Sequence, residues 1–400
     1  MVVTGAGMVT SLGLGVAANA AALAAGRSGF RPVSLFDTSR QRVGSAGEVE
    51  LPGELPACLL GARQRRRVDR GTHLALRACQ EALGEAGLGA GERVPLVMGT
   101  SAGAMAIGQQ FYQQAVSDGG RAGQLTRAEI YQPQRQMRLL MDALGIEGPQ
   151  VIISNACASG ANAIGHAFEK IRSGREKRML AGGYDALCEL VFAGFDTLQA
   201  LTPSGIPRPF DAARDGLALG EGAGMLVLEE AGEARARGAT VLAEITGYAA
   251  ATDIHHLTQP QPLGDAALET MTRACAMAGL TPDQIDYINS HGTGTPLNDV
   301  AEGNAICRWA GAAVGGVSVS STKSAMGHLL GGAGAVETVI GLVALRGQFL
   351  PASLNVREAD QVCEFDLVRE PRGKRIRRVL TNSFGFGGSN ATLILEEVGE

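Results

Sequence analysis

Short apolar runs alternate along this chain with segments whose apolar residues return every three or four positions. Leu96–Met98, Val151–Ser154, Met179–Ala181, Ala223–Leu228, Leu242–Tyr248, Asp286–Ser290, Val317–Ser321, Val379–Asn382 and Ala391–Glu396 read as strands. Ala156 to Arg172 carries Ile164, Ala167, Phe168 and Ile171 at helical spacing, and Gly264–Gly279 has the same rhythm. The charged stretch Gly232–Gly238 reads as a connector. Strands that alternate with helices predict α/β layers, with helices packed against sheets.

One pattern occurs twice. QVIISNACASGANAIGHAFEKI runs strand, small-residue turn, long helix, and so does GVSVSSTKSAMGHLLGGAGAVETVI. The echo points to a duplicated unit with a boundary near residue 240, giving halves 1–240 and 241–400. No linker between them is rich enough in Pro or Ser to separate independent domains. Leu329–Leu345 is Gly-rich, carries Glu337 and reads as a buried helix, and no apolar run approaches the roughly 20 residues of a bilayer span. The opening MVVTGAG reads as a strand and a glycine turn, with no basic leader.

Composition narrows the function classes. At 400 residues and 45% hydrophobic, the chain can bury a large core. A net charge of −5 gives no reason to expect a nucleic-acid partner. Seven cysteines without a CxxC pair fit reduced thiols in a cytoplasmic chain. There are 31 arginines and only four lysines, so each lysine carries information.

Four stretches could carry chemistry. In SNACASG, Cys157 sits after a strand at the mouth of a helix, where unpaired N–H groups and the helix dipole favour a thiolate. Small neighbours leave room for a substrate, although an ordinary buried cysteine fits the same stretch equally well. In NSHGTGTP, His291 follows a strand, and Thr293 and Thr295 offer hydroxyls to an amide-bearing ligand. GTGTP lacks the spacing of a nucleotide loop. In SSTKSAMGHLLGGAGAVE, Lys323 and His328 precede a small, apolar stretch, so burial requires a partner, and Glu337 is the nearest candidate. In TNSFGFGGSN, Phe384 and Phe386 stand between glycines that let a backbone approach a ligand and move.

Together these stretches resemble the β-ketoacyl-acyl-carrier-protein synthases of the elongating type. The likeness runs from VVTGAGMVT to SFGFGGSNATLIL and includes RPFDAARDGLALGEGAGMLVLE. The resemblance implies a thiolase-like α/β fold of two duplicated halves in an α-β-α-β-α layering. It implies decarboxylative condensation of a malonyl thioester with an acyl group held on Cys157. His291 and His328 would bind the malonyl thioester, with Lys323 ordering the surroundings of His328, together with Glu337. The N–H groups of Cys157 and Phe386 would form an oxyanion hole, with Phe386 as a gate beside Phe384. Thr258, Thr293 and Thr295 match positions that contact phosphopantetheine. No metal or redox cofactor is implied.

The resemblance also implies an acyl carrier protein as partner, and a dimer, with itself or with a chain-length-factor homologue. Such carriers are acidic, and GARQRRRVDR places Arg63, Arg65, Arg66, Arg67 and Arg70 within eight residues. Arg66 and Arg67 match the carrier-docking positions best, with Arg208 near the entrance. A thiolase would carry a second catalytic cysteine in its C-terminal loop, where this chain has FGFGG, and initiating synthases use a Cys, His, Asn set. A non-catalytic chain-length factor would lack Cys157. A cysteine hydrolase needs neither the second histidine nor the lysine. Fatty-acid elongation and a polyketide or polyene pathway both remain open for the substrate.

Overall fold

The computed structural model describes residues 1–117 and 125–399. Its main sheet is built from β1 (Val2–Thr10), β2 (Leu96–Gly99), β3 (Gln150–Ile153), β4 (Arg178–Asp185), β5 (Gly222–Glu229), β6 (Ala243–Thr252), β7 (Tyr287–Asn289), β8 (Ser318–Ser320), β9 (Asp366–Leu367), β10 (Arg378–Phe384) and β11 (Ser389–Glu396). The strand order is β3-β2-β4-β5-β1-β6-β11-β10-β7-β8-β9, with Gly13–Leu14 pairing at the end of β1.

The sheet contains one pattern twice. From β3 inward, the contacts β3/β2 and β2/β4 are parallel and β4/β5 and β5/β1 antiparallel. From β8 inward, β8/β7 and β7/β10 are parallel and β10/β11 and β11/β6 antiparallel. The two runs meet through two residue pairs, Val2 with Glu244 and Val3 with Ala243. β3 and β8 therefore hold equivalent places, and these are the strands that enter the two echoed segments.

Helices explain the layering. α1 (Arg70–Ala86) packs on β1 and β5, and α2 (Pro133–Leu144) packs on β3 and on α1. α4 (Asp265–Ala278) covers β6 and β11 on the other outer face, and α5 (Pro296–Ala310) packs against α4. Between the two half-sheets lie α3 (Ser159–Arg172) and α6 (Ala333–Gly347), packed on each other. Small residues set their approach: a Cβ on Gly160 would sit 2.8 Å from the Ala335 nitrogen. The stretch Leu330–Gly347 is apolar enough to pass for a span by length and composition, but 89% of it is buried in this central layer. Helices thus cover both faces of each half-sheet, which accounts for the burial of the central strands on both sides.

Two local expectations are corrected. The helix predicted from Ala156 begins at Ser159, because Ala156 has φ 56° and turns the chain before Cys157. The charged connector Gly232–Gly238 contains a short helix, Ala231–Ala236, capped by the Glu230 side chain accepting from the Glu233 N–H.

Candidate active site

The turn from β3 into α3 presents Cys157. Ser159 Oγ donates to the Ala156 carbonyl (2.5 Å) and accepts from the Asn155 N–H (2.9 Å), which locks the left-handed Ala156. Cys157 is 8% exposed and lines a cavity of about 90 Å³ with His291, His328, Phe384 and Phe386. The loop Gly385–Gly388 closes over the same turn. A Cβ on Gly385 would sit 3.1 Å from the Cys157 nitrogen, and one on Gly388, at φ 79°, would collide with the Asp253 carbonyl. Gly387 N–H donates to the Leu257 carbonyl (2.7 Å) and Asp253 N–H to the Gly388 carbonyl (2.8 Å), so this loop is zipped to the loop that carries Thr258.

Burial pushes the Cys157 thiol up to about 12, against the downward pull of Lys323 and of the facing Phe386 N–H. The sequence argument expected the opposite direction. The helix begins beyond the cysteine, and desolvation of the thiolate exceeds what the nearby dipoles return. The free protein therefore holds a thiol.

The two histidines meet. Their ring centroids are 5.3 Å apart at 84°, and Phe384 stands 5.5 Å from His291. Both are nearly inaccessible, and burial together with the Lys323 charge holds each well below 6.5, so both imidazoles are neutral. Their tautomers follow from their partners. His328 Nδ1 accepts from the Leu330 N–H at 3.1 Å, and His291 Nδ1 lies 3.4 Å from Lys323 Nζ, a group that can only donate. Each ring therefore carries its proton on Nε2.

Lys323 is 1% exposed and pairs with Glu337, also 1% exposed, whose carboxyl burial pushes up to about 7 against the pull of the lysine. The pairing is the one the sequence suggested. The histidine touched is not: Lys323 contacts His291, not His328. His328 is instead fixed by backbone contacts, its N–H donating to Ala218 and its carbonyl accepting from Gly220.

Sequence reasoning missed two carboxylates. Glu302 on α5 accepts from the N–H groups of His291 (2.8 Å) and Gly292 (2.7 Å) and from Asn382 Nδ2 (3.2 Å), and so holds the histidine turn. Burial pushes it up to about 7. Asp185, at the end of β4, accepts from Thr100, from the N–H groups of Ser101 and Ala102, and from Gly331 N–H, tying the β2 turn to the histidine-bearing segment. An acid inside VAEGNAI and one ending the apolar RMLAGGYD were the available signals.

The remaining expected residues fall around the cavity. Thr258, Thr293 and Thr295 line it, with Thr293 and Thr295 hydroxyls 2.8 Å apart. Phe386 is 40% exposed and stacks on Phe195 at 6.1 Å, a partner not foreseen. Arg208 pairs with Asp215 at 3.3 Å, beside the Gly294 turn. Of the basic run, Arg63 and Arg66 are exposed and Arg67 is half-buried, but two members are corrected. Arg70 is spent on the buried Glu221 and the Val49 carbonyl, and Arg65 on Cys58 and the Leu55 carbonyl.

Comparison with known proteins bears on the fold and the family. The chain is 36% identical to 3-oxoacyl-[acyl-carrier-protein] synthase 2 of Synechocystis sp., covering 99% of this chain and 98% of that protein. It is 36% identical to nodulation protein E of Rhizobium meliloti, over 100% and 99% of the two chains. Among solved structures, the ishigamide ketosynthase/chain length factor superposes with a TM-score of 0.91 at 35% identity, over 100% of this chain and 99% of that one. The thiolase-like fold is thus shown. With the β-ketoacyl synthase N-terminal domain matching residues 1–234 and the C-terminal domain matching residues 242–357, the chain belongs to the β-ketoacyl synthase family.

Proposed function

We propose that this protein extends an acyl chain by two carbons, through decarboxylative condensation of a malonyl thioester with an acyl group on Cys157. The observation that carries the reading is the convergence of one thiol and two neutral Nε2–H imidazoles on a single cavity. In the first half-reaction the Cys157 sulfur attacks an acyl thioester. The acyl group moves to sulfur, and the thiol proton ends on the departing pantetheine thiol. The nearby Lys323 charge and the Phe386 N–H favour the thiolate character that attack requires.

In the second half-reaction the malonyl thioester enters along Thr258, Thr293 and Thr295. Its carbonyl oxygen accepts from the Nε2–H groups of His291 and His328. Loss of CO₂ leaves an enolate whose charge these preorganised donors stabilise. The enolate carbon attacks the acyl-Cys157 carbonyl, whose oxygen is held by the N–H groups of Cys157 and Phe386. The Cys157 thiolate departs and takes up a proton, and the β-ketoacyl thioester leaves. No metal or redox group is needed, because no step takes an external oxidant or reductant and the two imidazole N–H groups meet the enolate charge; phosphopantetheine comes with the substrates.

The carrier is an acyl carrier protein, in line with the name of the Synechocystis relative, and it meets Arg66 and Arg67, with Arg208 as a contributor near the entrance. The pathway is fatty-acid elongation. A polyketide or polyene pathway with a chain-length-factor partner is the second reading, favoured by the superposition on a ketosynthase/chain length factor pair. In either case the working unit is a dimer: β3 is the edge of the sheet, its Val151, Ile152 and Ile153 are only half-buried, and Tyr112 and Val116 stand 69% and 82% exposed. The test is mass spectrometry of the intact protein after incubation with a ladder of acyl carrier thioesters. One acyl mass should appear on wild type and none on Cys157→Ala. Acylation of Cys157→Ala equal to wild type would overturn the assignment.

A further inference from the structure

In the condensing reading the oxyanion hole takes one N–H from each of two segments. Cys157 lies on the turn leaving β3, and Phe386 on the loop between β10 and β11. The width of the hole therefore depends on how those two segments are held together. The loop is braced by its own backbone: Gly385 N–H donates to the Ser389 carbonyl at 2.8 Å, and Gly388 N–H to the Gly385 carbonyl at 3.0 Å. Its outer side is tied to Asp253 and Leu257. On its inner side, van der Waals contact sets the nearest approach to the nucleophile turn. A Cβ on Gly385 would stand 3.1 Å from the Cys157 nitrogen and 3.2 Å from the Asn155 carbonyl oxygen. Contact alone does not stop the two from separating. A side-chain hydrogen bond does, because Asn155 Nδ2 donates to Ser389 Oγ at 2.8 Å.

Both ends of that bond are well set. The Asn155 N–H donates to Ser159 Oγ at 2.9 Å, so its side chain starts from the same braced turn that presents the Cys157 N–H. Ser389 opens β11, and its carbonyl closes the loop over Phe386. The rest of the amide gains nothing for the fold. Asn155 Oδ1 is buried and has no hydrogen-bond partner among the described residues, which costs stability. Packing alone is better served by a side chain with no orphan acceptor. We propose that Asn155 is a positioning residue for acyl transfer: through Ser389 it keeps the Phe386 N–H in register with the Cys157 N–H, so that both reach one acyl carbonyl oxygen. Asn155 itself touches no reacting atom. The histidine side stands outside this brace, since His291 is held by Glu302 and Lys323 and His328 by the Leu330 N–H. This rests on the condensing reading above.

The experiment separates the two halves of the reaction in Asn155→Ala and Ser389→Ala. Acylation of Cys157 is followed by single-turnover intact-mass spectrometry, at saturating concentration of an acyl carrier thioester that loads wild type. Each variant should be acylated about three- to tenfold more slowly, the span expected for one lost neutral hydrogen bond. KM for the acyl donor should hold, because the bond acts on the transition state. CO₂ release from a malonyl thioester, read with Cys157→Gln added to each variant, should match that of Cys157→Gln alone. The double variant Asn155→Ala/Ser389→Ala should be no slower than either single one, as two ends of one bond require. Ser389→Thr keeps the hydroxyl and should restore the acylation rate. A merely structural role would slow acylation and CO₂ release together, and that result overturns the inference. Unchanged acylation in both single variants overturns it too, as does a double variant whose losses multiply. Should Asn155→Ala melt early, Ser389→Ala is measured against the same outcomes. A wild-type protein that takes an acyl group from no carrier thioester would instead defeat the condensing reading, a result the variants cannot mimic.

Discussion

The turn leaving β3 and the turn leaving β8 occupy equivalent places in the two halves, yet they solve opposite problems. The first, residues 154–158, is short and holds no ionisable group but Cys157. It gains its shape from one left-handed residue, Ala156, and a serine latch. The second, residues 321–332, is longer and winds through a helical turn, Lys323–Met326, before α6 begins. That added length lets a lysine and an imidazole enter the same buried layer. The short turn delivers a neutral nucleophile that burial keeps protonated. The long turn brings in a cation, and the helix behind it must then supply Glu337 to compensate the charge. Duplication thus provided two strand-turn-helix mounts, and the turn length decided which of them could carry charge.

The largest expected effect separates the two turns by chemistry. Cys157→Gln should abolish condensation and still release CO₂ from a malonyl thioester, because the histidine side is intact. His328→Ala should keep acylation of Cys157 and lose CO₂ release by roughly 10²–10³, the usual cost of one oxyanion donor. Radiolabelled CO₂ release and intact-mass acylation read the two separately. If both variants lose both steps together, the turns do not divide the reaction as described.

Much of this division was legible in the sequence. The strands were found because their runs are short and rich in apolar and β-branched residues, and the four reactive stretches because each sets a chemically active residue among small ones. The pairing of Lys323 with Glu337 followed from burial alone. What the sequence hid lies in packing between distant segments. Whether Lys323 faces His291 or His328 depends on how β7 and β8 align. The direction of the Cys157 shift depends on how much water the Gly385–Gly388 loop removes. Glu302 and Asp185 looked like ordinary acids until the loops they hold were placed around them.

A smaller effect tests whether the cation of the second turn acts on the chemistry or only on the fold. Lys323→Met leaves Glu337 buried without a partner, which should cost about 3–5 kcal/mol of stability. Adding Glu337→Met removes the orphaned charge and should return most of the melting temperature. If Lys323 serves only the fold, CO₂ release should return with it. The geometry predicts that it does not, because His291 Nδ1 then lacks the donor that fixes its tautomer. Recovery of both stability and CO₂ release in the double variant would reduce the pair to a structural one.

The smallest effect is one of pH. His291 and His328 are held well below 6.5, so neither should gain a proton near neutrality, and CO₂ release by Cys157→Gln should stay level between about pH 6 and 8. Stability must respond in the direction fixed by linkage. Below about pH 6.5 the unfolded chain protonates these imidazoles while the folded chain does not, so the unfolded state binds more protons and stability falls as pH falls. Glu302 contributes with the opposite sign. Its folded value of about 7 lies above the ordinary 4.5, so the folded state binds more protons between those values, and stability falls there as pH rises. The two contributions oppose each other across the same interval, which keeps the wild-type slope shallow. Replacing His328 by Gln removes one destabilising protonation on the acid side, and its melting temperature should drop less than that of wild type between pH 7 and pH 5.5. A steeper drop in the variant would mean that His328 is charged in the folded protein, and the neutral donor pair would no longer describe the second turn.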